Sequence, residues 1–253
     1  MIKNNSIGEK MNISIACPSY KRPESMVRLV ESVFETTKEI EKIEVIFYLD
    51  DNDFDSHNVA KILMQKFGKI VKAITGPKIK LSNMWNHCAQ NTDFEIVMLC
   101  ADDIIFRTIY WDILVREKFN EFDDKILFVH GDDGHNSDKF GTHGFLHRNW
   151  INTVGYFLPP YFSADWCDTW INEVSDKLRR RFYVPILTEH MHFSLNKSEL
   201  DLTHIERLER GRIDDNQKIY VEKKIERDID FLKLKNFINE QLINQLITQK
   251  VCK

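Results

Sequence analysis

The chain lacks a dominant charge, a long apolar run and a paired-cysteine pattern, and each absence excludes something. A net charge of -4 over 253 residues argues against a protein that coats nucleic acid non-specifically, while leaving room for a local basic patch. No stretch approaches the ~20 apolar residues that a membrane-spanning helix requires. Residues 1–10 are polar and carry no apolar signal-peptide core, so a loose leader is expected there. The cysteines, Cys17, Cys88, Cys100, Cys167 and Cys252, are odd in number and form no CxxC pair. Neither a disulfide framework nor a cysteine-based zinc site is supported. Cys17 and Cys100 end apolar strands, where cysteine serves as a small core residue, and a reducing, cytoplasmic setting fits. Repeats, low-complexity linkers and glycine-rich phosphate loops of the GxGxxG or GK[ST] kind are also missing.

What is present is the profile of a soluble globular chain, 43% hydrophobic and 29% charged, long enough for one well-packed domain with or without a small appendage. The first half alternates strands and helices. Strands are expected at 13–17, 44–49, 70–74 and 95–100, and helices at 24–38, 55–67 and 81–90. Pro18 and Gly76-Pro77 break the chain between them. Strands alternating with helices imply a mostly parallel sheet covered on both faces. The second half is less regular. It suggests a strand at 126–130, a helix capped by Ser163 and running to about 181, a strand at 183–187, and one or two amphipathic helices over 214–250. Trp166, Trp170, Val174 and Leu178 recur every four residues as the buried stripe of the 163–181 helix.

In such sheets a ligand binds beyond the carboxyl ends of the strands. Three strand ends here carry polar clusters: Pro18-Ser19-Tyr20-Lys21-Arg22, then Asp50 to Asp53, then Asp102-Asp103. Two carboxylates directly after an apolar strand are costly unless they meet water, a cation or donor groups. A hard divalent ion such as Mg²⁺ or Mn²⁺ takes oxygen ligands and shares phosphate oxygens. The plainer alternative for the pair alone is a solvated Asp-Asp turn.

The segment Ile13 to Pro23 resembles the opening of the family 2-like glycosyltransferases of the GT-A type, in which a strand enters a P-[ST]-x-x-R-type loop. The strand end Leu49-Asp50-Asp51 looks like that family's nucleobase-binding acid. Gly76 to Asn91 followed by Met98 to Asp103 looks like its helix and DXD-type metal motif. Position 101 is Ala, so only an x-Asp-Asp form remains. The resemblance spans roughly residues 11 to 195 and implies an α/β, Rossmann-like GT-A fold binding a nucleotide-sugar donor with Mn²⁺ or Mg²⁺. It implies Asp103 as metal ligand, Asp102 as ribose or metal-proximal contact, and Pro18, Ser19, Tyr20, Arg22, Asp50, Asp51 and Asn86 as donor-binding residues. Lys78 and Lys80 are candidates to reach the diphosphate, the alternative being surface lysines.

A diphosphate-bound metal favours a further ligand, and the His190-x-His192 pair follows an expected strand with both rings on one side. An acceptor hydroxyl needs a base if the anomeric centre inverts. Asp165 and Asp168 lie three apart at a helix start and share a face; the alternative is that they stabilise the helix dipole. The family's Glu-Asp pair is absent because position 164 is Ala. The expected organisation is a leader (1–10), a GT-A domain (11–205) with a nucleotide-sugar half (11–103) and an acceptor half (104–205), and a C-terminal helical extension (206–253). The expected activity is that of a hexosyl- or pentosyltransferase, with a glycan acceptor or, as in virus-type enzymes, a hydroxymethylated pyrimidine in DNA. For DNA, Lys177 and Arg179 to Arg181 would guide the phosphate backbone, with Trp166, Trp170 and Tyr161 stacking. Two rival readings exist. The run His130-Gly131-Asp132-Asp133-Gly134-His135, with His143 and His147, suggests a His/Asp metal-dependent hydrolase. The other is a non-catalytic nucleotide-sugar-binding module.

Overall fold

The computed structural model describes residues 11–251, with side chains to residue 248. The expected leader and Cys252 lie outside the described residues. The first half builds β1 (Ile13–Ser19), α1 (Pro23–Thr36), β2 (Ile43–Asp50), α2 (Phe54–Phe67), β3 (Val71–Gly76), α3 (Leu81–Gln90) and β4 (Ile96–Leu99). The second half builds β5 (Ile104–Phe106), α4 (Trp111–Asn120), β6 (Phe128–Asp132), β7 (Gly144–His147), α5 (Arg148–Val154), α6 (Cys167–Leu178), β8 (Arg181–His190), α7 (Leu202–Ile213), α8 (Asn216–Glu222) and α9 (Lys224–Val251).

The strands form one eight-stranded sheet in the order β3-β2-β1-β4-β7-β6-β8-β5. β1 pairs in parallel with β2 and β4, β2 with β3, and β6 with β8. β7 runs antiparallel to β4 and β6, and β5 antiparallel to β8. Every residue of β1, β2 and β4 is buried, as a sheet covered on both faces demands. Alternate side chains feed two cores. Ile13, Ile15, Val45, Phe47, Ile96 and Met98 pack with Met26, Leu29, Trp111 and Phe119 of α1 and α4. Ala16, Ile46, Tyr48, Val97 and Leu99 pack with Met84, Trp150, Trp170 and Leu234 of α3, α5, α6 and α9.

The expected strands and helices of the first half are present to within a few residues. The second half brings corrections. α6 begins at Cys167, with Trp166 in a left-handed conformation before it (φ 83°), so Ser163 is not its cap. The Ser163 hydroxyl is instead buried against Asn216. β5, α4, β7, α5 and α7 were not foreseen. α7 spans residues 202–213, so the 205/206 boundary falls within one helix.

β7 starts at Gly144 for a steric reason. A Cβ there would lie 2.4 Å from the Phe128 ring and 2.7 Å from the Val129 carbonyl. Gly144→Ala is therefore expected to destabilise the fold by about 1–3 kcal/mol, the range for overpacking a close-packed interior. Chemical denaturation checks this; an unchanged midpoint would show that the β6–β7 packing yields easily.

Candidate active site

The carboxyl ends of β1, β2 and β4 open into one cavity of about 200 Å³. Its walls include Pro18, Ser19, Tyr20 and Arg22 after β1, Asp50 and Lys78 near β2 and β3, and Asp102 and Asp103 after β4. Asp165 and Asp168 come from the start of α6, His190 and His192 from the end of β8, and His204, Arg207 and Arg210 from α7. Three expected donor residues lie elsewhere. Asn86 Oδ1 accepts from the Phe157 and Leu158 amides, both at 2.9 Å, and its Nδ2 donates to the Leu158 carbonyl. Lys80 Nζ donates to the Tyr161 carbonyl (3.2 Å), and Asp51 is exposed in the turn after β2.

Asp102 and Asp103 are both buried, and the charges of Arg22 answer them. Asp102 accepts from Ser19 Oγ (2.7 Å) and Arg22 Nη1 (3.0 Å). Arg22 Nη1 is also 3.6 Å from Asp103. Burial, only partly offset by Arg22, pushes Asp102 up to about 6. Burial acts on Asp103 in the same sense, yet the neighbouring His190 and His204 rings and Arg22 hold it well below the usual carboxylate range. Sequence-distant His190 reaches Asp103 through register: Ile104 pairs with His190 between β5 and β8, and the Met191 amide donates to the Asp103 carbonyl (2.8 Å). His190 Nε2 then lies 3.2 Å from Asp103 Oδ1. His192 Nδ1 faces the Ser194 hydroxyl at 2.7 Å and caps the turn that follows.

α7 completes the site, and sequence reasoning missed it. Arg22 makes a two-pronged pair with Asp201 (2.7 and 3.0 Å) and donates to His204 Nε2 (2.7 Å). Lys78 pairs with Glu206 (2.5 Å), Thr203 Oγ1 donates to the Tyr20 carbonyl (2.8 Å), and Arg207 pairs with Asp165. His204 faces inward while Leu202, Ile205 and Leu208 are exposed. The usual apolar-inward signature is thus inverted; the spacing of Asp201, His204, Arg207 and Arg210 at every third residue was the readable signal.

Asp165 and Asp168 differ in environment. Asp165 is exposed and ion-paired. Asp168 lies in the first turn of α6, where burial pushes its carboxyl up to about 6 against the pull of the Thr169 amide. Asp50 is buried and raised by the same cause, against Lys78 and Arg210.

The His/Asp run after β6 is scaffolding. Asp133 accepts from the His135 and Asn136 amides and from Thr142 Oγ1. His147 Nδ1 caps α5, and His130 stacks on Phe128. Among the described residues no group of three or more His, Cys, Asp or Glu side chains is set to hold a metal ion. The Lys177 to Arg181 cluster lies at the opposite end of α6 from Asp168. Lys177 pairs with Glu173 and Asp228, Arg180 with Asp124, and Arg181 with Asp176.

No protein-family model matches the sequence, and no curated protein does. Solved structures do match in shape. A mannosyltransferase from Pyrobaculum calidifontis, PcManGT, in complex with GDP-Man and Mn²⁺, aligns with a TM-score of 0.57 and 8% identity over 96% of this chain and 80% of its own. S. aureus TarS 1-349 in complex with UDP aligns at 0.55 and 12% identity over 70% of this chain and 59% of its own. Its complex with UDP-GlcNAc aligns at 0.55 and 13% over 75% and 62%. This is the GT-A-like fold of nucleotide-sugar glycosyltransferases. At these identities the likeness is one of fold, and the chain spans only about three-fifths of the TarS 1-349 structures bound to UDP and UDP-GlcNAc. Within the GT-A-like sheet, the cavity described above lies at the carboxyl ends of the parallel strands, the ligand edge of open α/β sheets.

The cluster makes Arg22 the counter-ion on which two buried carboxylates depend. Arg22→Met is expected to cost about 3 kcal/mol or more at neutral pH, as removing one partner of a buried ion pair does. The loss should shrink towards pH 5, because protonation of the stranded carboxylates relieves their desolvation. Denaturation at the two pH values checks it; an equal loss at both would mean the carboxylates are not held by Arg22.

Proposed function

We propose that the chain transfers a sugar from a nucleoside diphosphate sugar to an acceptor hydroxyl, inverting the anomeric centre. The observation that carries this reading is the convergence of Asp50, Asp102, Asp103 and Asp168 with Arg22 and His190 around one cavity at the ligand edge of a GT-A-like sheet. In this reading Asp50 accepts from the nucleobase, and Pro18, Ser19 and Tyr20 line the nucleoside seat. Lys78 and Arg22 supply positive charge to the diphosphate.

Two residues fit a divalent ion. Asp103 Oδ1 is buried and accepts no well-directed hydrogen bond. His190 Nε2 lies 3.2 Å away, so the two side chains would together offer a divalent ion an oxygen and a nitrogen ligand. His192 lines the same cavity, with Nδ1 facing the Ser194 hydroxyl. Mn²⁺ or Mg²⁺ held there would neutralise the departing diphosphate. EDTA is expected to abolish donor turnover, and Asp103→Ala to lower it by several kcal/mol of barrier equivalent, on the order of 10³-fold or more. Full turnover in EDTA would remove the metal from the reading.

Asp168, rather than Asp165, is the base in this reading. A base must be deprotonated to act, so a carboxyl raised to about 6 sets a rate that climbs with pH through that region and levels above it. Asp168→Asn is expected to cut turnover by roughly 10²–10⁴-fold with nearly unchanged donor binding. The same variant should unfold at a higher temperature at pH 7, because a half-buried carboxylate whose pKa is raised destabilises the folded state above that pKa. Kinetics and thermal unfolding of one preparation check both; normal turnover would place the base elsewhere.

The acceptor in this reading is a glycan hydroxyl. A DNA acceptor finds less support, since no residue of the Lys177 to Arg181 cluster lines the cavity.

A further inference from the structure

One side chain on the cavity wall makes no hydrogen bond. His143 is 7% exposed and lines the cavity, yet neither ring nitrogen makes a hydrogen bond to any described residue; Nδ1 is sealed from solvent and unpaired. The ring is the neutral imidazole, because a charged one would strand a second N–H at the sealed Nδ1. Its contact with His190 is edge-to-face, at 5.0 Å and 88°.

The mount of this unpaired ring is rigid. Asn172 of α6 clamps Gly141 through both amide atoms (3.0 and 2.8 Å). Thr142 Oγ1 donates to Asp133 (2.7 Å) and accepts from Asn136 Nδ2 (3.0 Å). Gly141 and Gly144, on either side, both press on Phe128 so closely that a Cβ would clash at 2.6 and 2.4 Å. Buried polar groups are nearly always hydrogen-bonded, and an unsatisfied one calls for an explanation. A segment tied down this firmly does not relax to satisfy it, which is how a binding group is held ready for a ligand.

We propose that His143 is a specificity-determining residue that hydrogen-bonds a hydroxyl of the donor's sugar; the proposal rests on the nucleotide-sugar reading above. The sealed Nδ1 carries the lone pair, since an orphaned buried N–H is the rarer and costlier arrangement. The proton is then on Nε2, the ring nitrogen that is not sealed from solvent. A neutral N–H suits a hydroxyl oxygen, whereas a phosphate would call for a cation. The location selects the donor's sugar over an acceptor: the ring packs on His190, beside Asp103 and the proposed diphosphate seat, and the sugar is the part of the donor attached there.

Calorimetric titration with UDP, UDP-GlcNAc, GDP and GDP-mannose in Mg²⁺ tests this, using the unmodified protein, His143→Phe and His143→Gln. His143→Phe is expected to leave nucleoside diphosphate binding within about twofold and weaken the preferred nucleotide sugar about tenfold. The Gln variant, which keeps an N–H donor, should recover part of that loss. His143→Phe should also unfold at a higher temperature, since it removes a buried unsatisfied group; a structural role would lower it. Equal weakening of nucleotide and nucleotide sugar, or unchanged binding of both, would overturn the assignment. So would slower transfer with unchanged donor affinity, which would point to the acceptor. If no nucleotide binds the unmodified protein while its fold is intact, the nucleotide-sugar reading itself fails, and the role of His143 fails with it.

Discussion

Two adjacent carboxylates buried at the end of an apolar strand set the terms for everything around them. Left alone, Asp102 and Asp103 would be among the costliest groups a fold could bury. The chain answers with Arg22 from the first strand–helix loop, His190 from β8 and His204 from α7. These come from three distant stretches of sequence, so the constraint at one strand end fixes how the two halves and the C-terminal helices meet. Arg22 is the hinge of the arrangement, bridging Asp102 on the β4 side and Asp201 on the α7 side.

The same cluster explains how one cavity holds acids of different character. Asp103 is kept ionised by the rings and guanidinium beside it, whereas burial of Asp102 and Asp168 favours their neutral forms. Carboxyl groups whose environments separate their ionisation are the usual means of dividing acid–base and electrostatic roles within one site. Asp165 is exposed and paired with Arg207 of α7.

The first half was legible because local signals agreed there. The buried strands β1, β2 and β4 are mostly apolar, each followed by polar residues, and the helices between them carry clear periodicity. That placed Ser19, Arg22, Asp50 and the Asp102-Asp103 pair at one edge. The second half was not legible, for separate reasons. β5 has three residues, too few for a pattern. α7 buries polar side chains and exposes Leu202, Ile205 and Leu208, so its periodicity points the wrong way. Asn86 looked like a donor contact in the linear sequence but is committed to the backbone of residues 157 and 158. The histidines after β6 looked like metal ligands because spacing cannot reveal that Asp133 is already saturated by its own loop. His190 and His192 are both readable as candidates, and the β5–β8 register is what brings His190 beside Asp103.

In the proposed reaction Asp103 and His190 together hold a divalent ion against a nucleoside diphosphate. Anomalous scattering at the manganese edge, from crystals grown with UDP or GDP and Mn²⁺, tests it most directly. A single strong peak within bonding distance of Asp103 Oδ1 and His190 Nε2, adjoining diphosphate density, is the expected result. A nucleotide bound in the cavity with no manganese peak between those two side chains would contradict it.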